Sequence, residues 1–368
     1  MKHSLSREGT IFRKSVAIAT DERRVDIRDN QPVQWRRFAR DTVVAVIALG
    51  LAAIGFVALA DPYGLRAAPG HPPGPIVDTA QRWSYPQVAR GGAFDAAVFG
   101  SSTSRLLDPA ALDTAFAARF ANLAMNAATP DEQLRLAALF LAGKDARIVL
   151  FGLDVTWCAA APAARAALPF PDWLYEPNPS FGFFRQVNSR SVEAAVKALL
   201  VRTGHGRAAI RSDGFAVFTP PEATYDPDRA RQHIRAGITD PTEPPDPSNA
   251  PMPALDRLDA LLAGIPPQTR AILAFMPVHA RLQGQDGTPA GAREAACKAR
   301  VAQIGTRRGA LVVDFRIPSP VTTEDTNYWD ALHYRLPVAA RIVAGLKAAM
   351  TTGASAQDGF YKVLAPVR

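Results

Sequence analysis

Cysteine and histidine are scarce in this chain. Two cysteines, Cys158 and Cys297, and six histidines, His3, His71, His205, His233, His279 and His333, are scattered over 368 residues. Neither type recurs at metal-ligand spacing, which argues against a zinc site of either kind. No Gly-x-Gly-x-x-Gly and no P-loop occurs, so no nucleotide is implied and no cofactor is expected. No stripe of Arg/Lys interleaved with aromatics follows the first forty residues, so nucleic acid is not an expected partner. There is no internal repeat, which excludes solenoids. In an oxidising compartment the two cysteines are able to pair, but spacing alone does not bring their Cα atoms together.

What the chain does have is apolar residues, 48% against 21% charged, the balance of a globular protein. Its net charge of +8 is uneven: residues 1–40 hold ten Lys/Arg against five Asp/Glu. That basic segment precedes "TVVAVIALGLAAIGFVALA", Thr42 to Ala60, 19 residues without a charge, about the length that spans a hydrocarbon core. With "WRRFAR" before it and "DPYG" after it, the positive-inside rule keeps the N-terminus in the cytoplasm and exports the rest. The expectation is a single-pass anchor in the inner (cytoplasmic) membrane with a periplasmic domain. A cleaved signal peptide is the competing reading, for which forty residues is a long leader. The length of the run argues against a core helix. The expected organisation is a cytoplasmic segment 1–40, a transmembrane anchor 41–61, a Pro/Gly-rich linker 62–90, a domain 91–350 and a C-terminal tail 351–368.

Within the domain, continuous apolar runs at 95–102, 119–126, 146–154, 270–277 and 309–316 read as strands buried on both faces of a parallel sheet. Helical patterns lie between and after them, at 108–118, 129–143, 253–264, 290–305 and 337–350. "TPDEQ" is a helix start, with Thr129 as N-cap and Pro130 in the first turn. The alternation predicts an α/β fold with about five parallel strands. Residues 155–252 break the rhythm as an irregular insertion: a lid or binding surface, or a loosely ordered decoration. They hold one helix candidate (189–204). Trp157, Trp173, Tyr175, Phe181, Phe183 and Phe184 form either a platform for a sugar or ordinary core.

In a parallel α/β sheet, function collects at the carboxyl ends of the strands. Four polar clusters fall there or in the last loop: "GSSTSR", "NLAMNAAT", "GLD" and "YWDALHYR". Acyl transfer needs a nucleophilic oxygen, a base, an acid to orient the base, and oxyanion donors. Ser102 ends the first strand, and Asp330 lies three residues before His333, a spacing that lets the carboxylate hold the imidazole while its other nitrogen faces the serine. Either signal alone is weak; together and in this order they point to one site. His279, after the fourth strand, either contacts substrate or is a satisfied loop histidine. Arg105 either holds a substrate carboxylate or pairs with an internal acid.

These blocks resemble those of the SGNH/GDSL hydrolase superfamily. "FGSSTS" is similar to its first block, with Ser102 as nucleophile, and "YWDALHYR" to its last, with Asp330 and His333. More narrowly, "DPYG", "GSS", "NLAMNAATPDEQ" and "GLD" in succession resemble membrane-anchored bacterial members, the periplasmic alginate O-acetylation proteins and D-alanylation-associated SGNH-like proteins. The resemblance covers roughly 90–155 and 270–350. It implies a flavodoxin-like three-layer SGNH fold and a Ser–His–Asp serine esterase or O-acyltransferase working on acyl, most simply acetyl, esters of an exported or cell-surface polysaccharide. Its partners would be a carbohydrate or acylated small molecule and other polysaccharide-modification proteins. Ala127, or Ala124, stands where the superfamily has an oxyanion-hole glycine, and Asp154 where it has an asparagine donor. A carboxylate there repels an oxyanion, so Asn122 or Asn126 replaces that donor, or Asp154 holds Arg105 or a loop. The alternative is a non-catalytic carbohydrate-binding or assembly component on the same fold; a lipase would need an apolar groove in the insertion.

Overall fold

The computed structural model describes residues 31–71, 73–142, 145–161, 169–176, 182–238 and 245–367. They fall into two units, one ending at Ala52 and one running from Ala53 to Arg368. The first helix, α1 (Gln31–Ala60), contains a candidate span Gln34–Ala60 whose most apolar 18 residues have mean hydropathy 2.8. Its 27 residues rise about 40 Å at 1.5 Å each, against about 30 Å for a hydrocarbon core. It is therefore long and apolar enough to cross a membrane, and side chains such as Leu49 and Leu51 are exposed along it. The helix already runs at Gln31, the first described residue and ten residues before the expected anchor at 41, because "QPVQWRRFAR" contains nothing that interrupts it after Pro32. It ends at Ala60, since Pro62 disfavours helical backbone at Asp61, the residue before it. Asp61 turns to φ 45, and its carboxylate accepts from the N–H groups of Leu65 and Arg66.

The expected linker 62–90 is instead part of the folded unit. Tyr63, Ile76, Tyr85 and Val88 are buried, and Gln81–Arg90 forms helix α2. Proline content suggested an extended connector, but its apolar residues find the core. Arg82 ties α2 to α4 (Pro130–Leu141) through a two-bonded ion pair with Glu132, 2.8 Å for each bond. Glu132 also completes the capping box at the start of α4: Thr129 Oγ1 accepts from the Glu132 N–H, and Glu132 Oε2 accepts from the Thr129 N–H. Breaking a buried pair of this kind costs about 3–5 kcal/mol.

The sheet has the order β2-β1-β3-β4-β5-β6. Strands β1 (Ala96–Phe99), β2 (Phe120–Asn122), β3 (Ile148–Leu153), β4 (Arg270–Phe275) and β5 (Leu311–Asp314) are parallel. A sixth, β6 (Lys362–Ala365), runs antiparallel against β5, so 351–368 is not a free tail. Alternate side chains feed two cores. Phe99, Phe151 and Phe275 face one, with α2, α4, α8 (Pro253–Ala263) and α9 (Pro289–Arg308). Val98, Leu150 and Ile272 face the other, with α3 (Pro109–Phe116) and α10 (Leu336–Thr352). Burial on both faces explains why the strands read as unbroken apolar runs.

Residues 155–252 are less irregular than expected. They contain α5 (Gly182–Arg185), α6 (Ser189–Arg202) and α7 (Pro227–Ala236), with 162–168, 177–181 and 239–244 outside the described residues. Trp157, Trp173 and Tyr175 are buried in the first core, which removes them from any sugar platform. Phe184 is exposed, while Phe181 and the Phe183 side chain lie outside the described residues. Cys158 and Cys297 form a disulfide with Cα atoms 5.5 Å apart, joining the turn after β3 to α9.

Candidate active site

Strand order reverses between β1 and β3, and the crevice at such a point lies beyond the strands' carboxyl ends. After β1 the chain turns sharply into a short 3-10 helix, Ser102–Ser104. Two glycines permit the turn. A Cβ on Gly100 would lie 2.3 Å from Ser104 Oγ, and one on Gly152 would lie 1.9 Å from the same atom. The buried Ser104 hydroxyl is thus wedged between the ends of β1 and β3, which leaves half-buried Ser102 at the crevice.

The loop before α10 supplies a histidine. Asp330 Oδ1 accepts from the N–H groups of Leu332 and His333, both at 2.8 Å, closing a tight turn. Its Oδ2 lies 2.8 Å from His333 Nδ1. His333 Nε2 in turn lies 2.9 Å from Ser102 Oγ, across 231 residues of sequence. Burial pushes the Asp330 carboxyl up, but the hydrogen bond and charge of His333 and the two backbone N–H groups outweigh it, leaving a net shift below the ordinary carboxylate value. An ionised Asp330 accepts Nδ1–H, so Nε2 is the nitrogen presented as acceptor to the Ser102 hydroxyl.

The other expected site residues divide. Asn122 donates its amide to the carbonyls of Ser104, Arg105 and Leu107, and its Oδ1 accepts from the Ala124 N–H. Both ends are committed to shaping the serine turn, so Asn122 is not an oxyanion donor. Asp154 Oδ1 accepts from the N–H and hydroxyl of Thr156; it caps a loop and does not pair with Arg105. Asn126 Oδ1 accepts from Arg105 Nη1 at 2.9 Å, which turns its amide nitrogen the other way. Ala127 has φ 48, the left-handed region that glycine enters freely. Its N–H makes no hydrogen bond among the described residues, nor does that of Ser102. Ala124 is fully buried with its N–H on Asn122, which leaves Ala127 as the alanine with a free donor.

His279 is 2% exposed. Its Nε2 meets Asp325 at 3.0 Å and its Nδ1 accepts from the Arg281 N–H. With both nitrogens used it is a structural histidine and not a substrate contact.

Three residues of the insertion were not singled out in the sequence. Phe218 sets its ring edge-on to His333, centroids 5.4 Å apart, and lies 4.6 Å from the Arg105 guanidinium. Glu222 pairs with Arg335 and accepts from the Leu336 N–H at the start of α10. Tyr225 donates to carbonyls of Asp325 and Tyr328 and stacks under Arg335. The insertion reaches this place partly by edge pairing: the Asn122 N–H donates to the Asp213 carbonyl, and the Gly214 carbonyl accepts from Tyr85. No local sequence signal marks such contacts. No cluster of metal ligands occurs among the described residues. Compared with known proteins, the chain matches no family model, no curated protein and no solved structure.

Proposed function

We propose that this protein is a membrane-anchored, SGNH-type serine esterase or O-acyltransferase with a flavodoxin-like three-layer domain on the periplasmic side. The observation that carries the reading is the line of contacts Asp330–His333–Ser102, 2.8 and 2.9 Å, at the strand-order reversal. In this mechanism His333 Nε2 removes the Ser102 proton as Oγ attacks an ester carbonyl. The oxyanion is met by the free N–H groups of Ser102 and Ala127. His333 then returns the proton to the leaving alcohol, and the acyl group on Ser102 passes to water or to a sugar hydroxyl. Asp330 holds the tautomer and balances the imidazolium. Acetyl esters of an exported or cell-surface polysaccharide are the substrate class that the superfamily resemblance suggests.

The second reading, a carbohydrate-binding or assembly component without catalysis, is favoured by Asp154, a carboxylate at the sequence position where the superfamily resemblance calls for an asparagine donor. The experiment that separates the two is hydrolysis of p-nitrophenyl acetate by the full chain in detergent, beside Ser102→Ala and His333→Ala. Turnover that both substitutions abolish supports the esterase; a rate that neither changes supports the binding protein.

A further inference from the structure

Arg105 closes the turn that Ser102 opens, and it differs from the other buried arginines. Arg82 pairs with Glu132, and Arg90, Arg293 and Arg316 each donate to two or more backbone carbonyls. Arg105 is 5% exposed, and its guanidinium donates from Nη1 to the Asn126 amide oxygen at 2.9 Å. Among the described residues the neutral Tyr85 hydroxyl is the only titratable group that acts on it, as a hydrogen-bonding neighbour that itself donates to the Gly214 carbonyl. No carboxylate pairs with Arg105 among the described residues. Burial pushes its pKa down from the ordinary guanidinium value, yet arginine keeps its charge in proteins. A buried cation without a counter-charge is costly, and such groups cluster at functional sites.

Its surroundings indicate what would supply the charge. Unlike Arg90 and Arg316, Arg105 has no nitrogen that is both sealed from solvent and without a hydrogen-bond partner among the described residues. One flat face of the guanidinium rests on Phe218, whose ring also meets His333. The planar fork that remains matches the two oxygens of a carboxylate or phosphate. We propose that Arg105 docks an oxyanion carried by the substrate, so that this site selects anionic esters over neutral ones. The proposal rests on the esterase reading above and adds the substrate's charge to it.

The test uses the full chain in detergent and a neutral alkyl fluorophosphonate. Ser102 Oγ attacks phosphorus, fluoride leaves, and His333 takes the hydroxyl proton. The labelling rate at Ser102, read by mass spectrometry, is measured against glucose, glucuronate and glucose 6-phosphate at matched ionic strength. At least one anionic sugar is expected to protect at about tenfold lower concentration than glucose. Which one protects separates carboxylate from phosphate. In Arg105→Gln that ratio falls to about one; a ratio that survives the substitution overturns the proposal. Equal protection by all three sugars, or by none, also overturns it while Ser102 stands as nucleophile, and this wild-type comparison decides even where the variant does not fold. Absence of label on Ser102 overturns both readings.

Discussion

Two histidine–carboxylate pairs meet the loop before α10, and they differ in what is left over. At His279 the ring is buried, one nitrogen meets Asp325 and the other accepts from a backbone N–H. At His333 the ring is half-buried, one nitrogen meets Asp330, and the other reaches a serine hydroxyl. The first pair fastens the segment after β4 to the loop before α10, aided by the His279 N–H on the Ala331 carbonyl. The second has a nitrogen free for proton transfer. A histidine beside an acid is therefore not informative until the partner of its second nitrogen is known.

The contrast is most sharply tested by deleting each imidazole. His333→Ala and Ser102→Ala are expected to lower ester turnover on the order of ten-thousandfold, while His279→Ala lowers the unfolding free energy by about 1–3 kcal/mol with only a few-fold change in turnover. Equal losses of turnover at the two histidines would erase the distinction. The acids follow. Asp330→Asn should reduce turnover on the order of a thousandfold by favouring the wrong tautomer, whereas Asp325→Asn should act on thermal stability.

A smaller effect is expected at Phe218, whose ring limits the tilt of His333. Phe218→Ala should reduce turnover about tenfold, measured on the same ester, and retention of full activity would mean that the Asp330 bond alone positions the base. The smallest effect is a pH dependence. Burial holds His279 below its ordinary pKa, against the opposing pull of Asp325. Its contribution to stability is thus fully present above the unfolded value of about 6.5 and is lost as pH falls through the lower folded value. Melting temperatures at pH 7.5 and below 6 should diverge more in the wild type than in His279→Gln.

The sequence made the sheet legible for a physical reason. Strands covered on both faces have no polar alternation, so all five parallel strands stand out as apolar runs. The Asp330–His333 turn was equally visible, because an i/i+3 pair is a local object, and so was the Thr129 cap. The segment 62–90 was not, since prolines mark backbone conformation and say nothing of whether Tyr63 and Tyr85 become buried. Asn122 looked available because its three carbonyl acceptors are created by the turn itself. Phe218, Glu222 and Tyr225 had no signal at all: each meets the loop before α10 across more than a hundred residues, through an insertion held in part by a backbone contact at the edge of β2. The strand β6 was missed because a short antiparallel edge strand carries little apolar patterning.

The central claim is that Ser102 is a nucleophile served by His333. The most direct measurement is mass spectrometry of the full chain after brief exposure to p-nitrophenyl acetate and acid quench. The account predicts an acetyl group on Ser102 in the wild type, and none in His333→Ala or Ser102→Ala. Turnover of the ester by a wild-type chain that never carries acetyl on Ser102, or an adduct that forms equally without His333, would contradict it.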